Sequence, residues 1–178
     1  MHMVHYNTKY RSAAEAGQYS DGLLVLATLF HADVVENPLM NPIVNNLESI
    51  IKFNSKTKIS EPIVLETLIP TTKEIFYMYQ GSLTTPPCSE TVTWILFTQV
   101  PRIGYSQLFE FEQLDNNENT FVGDTNRNLQ PLNGRKVYAS SNSHCKPMKN
   151  QRRIIPYDLP FKDREIRSYL NRIFGMQL

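Results

Sequence analysis

The side chains of this 178-residue sequence best suited to holding a metal are four histidines, His2, His5, His31 and His144, and two cysteines, Cys88 and Cys145. No pair of them has the HxxxH or CxxC spacing that marks a zinc site. His2 and Val4 fall on one side of an alternating run and Met3 and His5 on the other, so at most one of the first two histidines faces any one ligand. An isolated strand histidine is more often hydrogen-bonded than ligating. His31 and His144 have no neighbours that favour chemistry. The other reactive-looking stretch is Leu83-Thr84-Thr85-Pro86-Pro87, two hydroxyls beside two prolines, which on its own reads as a turn. Two cysteines are too few for a disulfide framework, and pairing with each other, pairing with a partner elsewhere and free thiols all stay open.

These residues need elements to position them. The period of two over His2–Tyr6 predicts a strand that starts without a preceding turn. Leu23-Leu24-Val25-Leu26-Ala27 predicts a buried strand after the turn-like Tyr19-Ser20-Asp21-Gly22. Asn41 as N-cap, Pro42 as first residue and Ile43, Leu47, Ile50 and Ile51 as one stripe predict a helix. Ile75-Phe76-Tyr77-Met78-Tyr79 is strand-like, and Gly81 to Pro87 must be irregular, because adjacent prolines remove two ladder donors. Thr91 to Phe97, rich in β-branched and aromatic residues, is the best strand of the chain. A short helix is expected over Ser106 to Leu114 and a polar loop over Asp115 to Asn119.

From Ser140 onward the composition shifts. Lys146 to Arg172 holds eight Lys or Arg against three Asp or Glu, and Pro147, Pro156 and Pro160 break its first part. Ile166, Tyr169, Leu170, Ile173 and Phe174 then recur at helical spacing. Residues 141–178 thus read as a basic extension with a short amphipathic helix, either packed or solvated, or docking on a partner or membrane surface.

Bulk properties narrow the class. With 41% hydrophobic residues and a net charge of +1, the chain reads as globular, with no reason to bind nucleic acid. No apolar run reaches the length of about 18 residues that spans a membrane. The opening MHMVHYNTKY lacks the pattern of a signal peptide, so a chain starting at Met1 is expected in the cytosol.

Several segments, in order, resemble the α-class carbonic anhydrases. His2 to Tyr10 is similar to the strand that supplies that family's third zinc histidine, and Gly22 to Ala27 to its next core strand. Tyr79-Gln80-Gly81-Ser82-Leu83-Thr84-Thr85-Pro86-Pro87-Cys88-Ser89-Glu90 resembles the active-site loop, and Val92-Thr93-Trp94 continues it. Asn126-Arg127 and Gln130 to Arg135 resemble the family's last segment. The resemblance covers residues 2 to about 140 and identifies them as the C-terminal half of such a domain, followed by the extension 141–178.

The resemblance implies a β-dominated α+β fold, a large, mostly antiparallel sheet with a few surface helices. It implies a zinc cofactor and reversible hydration of carbon dioxide to bicarbonate. His2 matches a zinc ligand, and Thr84 the threonine whose hydroxyl accepts a hydrogen bond from zinc-bound hydroxide. Thr85 matches a neighbouring position in the active-site cone, and Val4, Val25, Leu83, Val92 and Trp94 match the apolar wall where carbon dioxide sits. The family's other two ligands come from a His-x-His strand, and this sequence contains no His-x-His. The glutamate behind the third histidine, the glutamate that pairs with the threonine and the proton-shuttle histidine also have no match. The chain alone is therefore expected to be incomplete and inactive, with half a sheet leaving an unpaired edge. A non-catalytic binding module, engaging a protein partner, is the alternative. Cys88 matches a cysteine that extracellular members pair with one near the domain start, which implies a secreted or membrane-displayed complete protein; a buried free thiol is the other reading.

Overall fold

Seven strands and three short helices form over the residues described in this computed structural model, 1–59, 61–115 and 126–140. The strands are β1 (His2–Tyr6), β2 (Leu23–Ala27), β3 (His31–Asp33), β4 (Phe76–Gly81), β5 (Val92–Phe97), β6 (Arg102–Gly104) and β7 (Val137–Ala139). The helices are α1 (Ala13–Ala16), α2 (Asn41–Val44) and α3 (Tyr105–Glu112). Five strands make one sheet in the order β1-β2-β5-β4-β7, and β3 pairs with β6 in a separate ribbon. Within the large sheet only β2 and β5 run parallel. The expected β-dominated, mostly antiparallel architecture is present, with the sheet open.

Register assigns the side chains to two faces. Val4 pairs with Val25, Val25 with Trp94 and Trp94 with Tyr79, so one row crosses four strands on one face. The opposite face carries Leu26, Met78, Ile95 and Phe97, which pack with Ile69, Met3 and Leu24. A further cluster of Met40, Val44, Leu68 and Ile103 joins the helical segments to β6. Edge strand β1 pairs only with β2 among the described residues, and Val4 and Tyr6 on it are exposed.

The turn after α1 depends on Gly22. A Cβ there would lie 1.7 Å from the carbonyl oxygen of Ala16, while the Gly22 N–H donates to Tyr19 O and its carbonyl accepts from Asn7.

The predicted helix from Asn41 is broken. A 3-10 turn over Pro38–Met40 leads into α2, and a second 3-10 turn follows over Leu47–Ile50. Asn41 is the first residue of α2 rather than its cap; the capping side chain is Asn37, which accepts from the Leu39 N–H ahead of the 3-10 turn. The buried positions are Met40, Val44 and Leu47, so the apolar stripe is rotated from the one read in the sequence. Packing against Leu68 and Ile103 decided this, over the pattern of Ile residues. The other helix forms one residue early, as α3. His144, Cys145 and the extension 141–178 lie outside the described residues, as does most of the loop expected after Asp115.

Candidate functional site

The face bearing the Val4–Tyr79 row is where the residues singled out in the sequence gather. Val25 and Val92 are buried at 1% and 0% exposure, and Trp94 at 6%, whereas Val4 is 60% exposed on the edge strand. Alternation puts His2 beside Val4 on this face, exposed. Its ring meets the Trp94 ring edge-on, centroids 4.8 Å apart. Partial burial, then the nearby N-terminal ammonium, holds the His2 imidazole below its ordinary pKa. Its neutral form, the one able to ligate a metal, is thereby favoured.

The loop from Ser82 to Thr91 returns over this face. Trp94 donates its indole N–H to Ser82 O at 3.1 Å, and Leu83 packs against the cluster of Val25, Val92 and Trp94. The loop is closed by Leu83 N–H to Ser89 O and Cys88 N–H to Thr85 O, both 2.9 Å. The Pro86–Pro87 peptide is cis and Cys88 has a positive φ of 58°. Two arginines brace it from the segment before β7: Arg127 donates to the Ser82 hydroxyl, and Arg135 to Gln80 O at 3.1 Å. Thr84 and Thr85 stand at the tip of this loop, exposed.

His5 lies on the other face, half-buried, with Nδ1 3.1 Å from Met3 O. His31 lies on β3 in the separate ribbon. Among the described residues no three His, Cys, Asp or Glu come together as a metal site. A catalytic zinc takes three protein ligands and one water, so the described donors of this chain do not make up a zinc centre.

Sequence reasoning passed over Tyr79, whose ring lies parallel to Trp94 at 6.3 Å between centroids. Burial raises the pKa of its hydroxyl. The period of two along β4 was the available signal, since Tyr77 and Tyr79 share a face. The bracing by Arg127 and Arg135 had no local signal, because their partners are 45 and 55 residues away.

The comparisons decide the family. The family model described as eukaryotic-type carbonic anhydrase matches residues 1–141. The chain belongs to the carbonic anhydrases. Carbonic anhydrase 6 of Bos taurus is 34% identical over 146 residues, covering 81% of this chain and 46% of the relative. Carbonic anhydrase 7 of Mus musculus is 36% identical over 147 residues, 79% of this chain and 54% of the relative. Carbonic anhydrase 6 of Canis lupus familiaris, 32% identical, covers 97% of this chain, so that similarity runs past residue 141. This carbonic anhydrase chain spans about half the length of the curated relatives it matches. No helix among its described residues is long and apolar enough to cross a membrane.

Proposed function

We propose that this chain forms half of a carbonic anhydrase active site, and that the complete domain hydrates carbon dioxide reversibly to bicarbonate. The observation that carries the reading is the dry row Val4, Val25 and Trp94 with His2 on the same face. Carbon dioxide offers no charge to grip, so an apolar wall is its fitting receptor; Val92 and Leu83 complete it. Thr84 is assigned the orienting hydroxyl and Thr85 a place along the approach, both by family resemblance. Zinc is the cofactor of the complete domain, with His2 as one ligand and two more from a His-x-His strand outside this chain. Alone, this chain neither holds zinc nor catalyses. Cys88, half-buried and without a disulfide partner among the described residues, pairs in the complete protein, which acts outside the cell or on its surface.

A complementation experiment tests this. The chain is produced alone and fused behind the N-terminal half of dog carbonic anhydrase 6. The fusion is expected to bind one zinc per chain and to hydrate carbon dioxide, and the chain alone to do neither. His2→Ala in the fusion should abolish both; undiminished hydration would overturn the reading. A non-catalytic binding module is the second reading, favoured by the single exposed histidine on the candidate face. A fusion that folds cooperatively yet takes up no zinc would establish it over the first.

A further inference from the structure

A second concavity lies away from the Trp94 wall. This cleft, of about 510 Å³, is lined by Phe30, Leu39, Met40, Val64, Leu68 and Ile69, among others. Its base is buried, because Met40 and Leu68 belong to the cluster with Ile103, and Ile69 packs on the sheet face opposite His2. Its rim is open and apolar: Leu39 is 50% exposed and Val64 61%. Large apolar side chains that stay wet around a cleft mark a docking surface.

The described chain ends beside it. Ser140 donates its hydroxyl to Glu74 O at 2.6 Å and its N–H to Phe76 O at 3.0 Å. Glu74 follows Lys73, which lines the cleft and pairs with Glu66 on the same rim. Residues 141–178 therefore leave from the cleft's edge. The stretch 141–160, at up to about 3.3 Å per residue, reaches any part of it.

Residues 161–174 suit such a cleft. Ile166, Tyr169, Leu170, Ile173 and Phe174 make one stripe, with Lys162, Arg164, Arg167 and Arg172 between them. A helix this short is marginal in water unless its apolar face is buried. Its cations complement the exposed Glu66 of the rim and Glu36, which precedes the lining residue Asn37. We propose that residues 161–174 dock on this cleft of the same chain as an amphipathic helix, their apolar stripe against Leu39, Val64 and Leu68.

The full chain carrying a photoreactive benzophenone amino acid at the exposed position 64 tests this. Irradiation should give a product of monomer mass, with the cross-link mapped to peptides within 161–174. Leu170→Asp with Ile173→Asp should cut its yield at least tenfold and speed amide exchange in residues 63–70, leaving exchange in β5 unchanged. Cross-links to a second copy, to other segments or to none overturn the proposal. So does loss of the cross-link only when anionic phosphatidylserine vesicles are absent, which would assign the segment to a membrane surface.

Discussion

Trp94 donates its indole N–H to the carbonyl of Ser82, 3.1 Å away, so the central strand β5 holds the loop that carries Thr84. The same ring receives the edge contact of His2 from β1. One side chain thus couples the candidate ligand, the apolar wall and the loop.

Trp94→Phe should keep most of the packing and lose this bond. Since Ser82 is only half-buried, water can take over its carbonyl, and the expected cost is about 1 kcal/mol. Trp94→Ala should cost roughly 3–5 kcal/mol through the cavity it leaves. Urea unfolding checks both, and equal costs for the two variants would contradict the separation of bond from packing.

Gln107 is 2% exposed and uses all four of its hydrogen-bonding positions. Its Oε1 accepts from the N–H groups of Asn37 and Gly104, at 2.8 and 3.0 Å, and its Nε2 donates to Asn37 O and Asn41 Oδ1. Gln107→Leu keeps the size but orphans both N–H groups, each worth about 1–3 kcal/mol. A loss of at least about 2 kcal/mol is expected, measured as a fall in unfolding midpoint at constant slope.

Gly22→Ala should be among the most damaging small changes. The added carbon would meet backbone, the Ala16 carbonyl at 1.7 Å, which cannot rotate away as a side-chain tip can. Roughly 3 kcal/mol or more is expected. Gly134→Ala meets no atom within 4 Å, although its positive φ of 76° disfavours a side chain. Thermal melts of the two should therefore differ, with Gly22→Ala the lower.

The pH dependence should involve Asp21. The Tyr10 hydroxyl, and after it Lys9, hold the Asp21 carboxyl below its usual range, against a smaller opposing effect of burial. A depressed folded-state pKa contributes stability that is present above the unfolded value, about 3.9, and lost as pH falls through the folded value. Tyr10 is shifted upward, chiefly by its bond to Asp21, so its contribution is present below the unfolded tyrosine value and lost as pH rises through the folded one. Asp21→Asn should flatten the acid limb of a stability profile. An unchanged limb would remove Asp21 from the account.

The alternation of His2, Met3, Val4 and His5 was enough to separate the two faces of β1, because a strand has no other way to place successive side chains. The hydrophobic run of β2 and the β-branched run of β5 were equally plain, and adjacent prolines excluded any ladder at Pro86 and Pro87. Ordered motifs likewise carried the family. Which strand lies beside which was not legible: β2 and β5, 69 residues apart at Leu23 and Val92, pair in parallel, and no local pattern encodes that. Nor could the sequence place His2 against Trp94, or Arg127 against Ser82. The break in the helix after Asn41 arose in the same way, from long-range packing of Met40 and Val44 on Ile103. Periodicity fixes which way a side chain points within its own element; only the closing of the tertiary core decides what it meets.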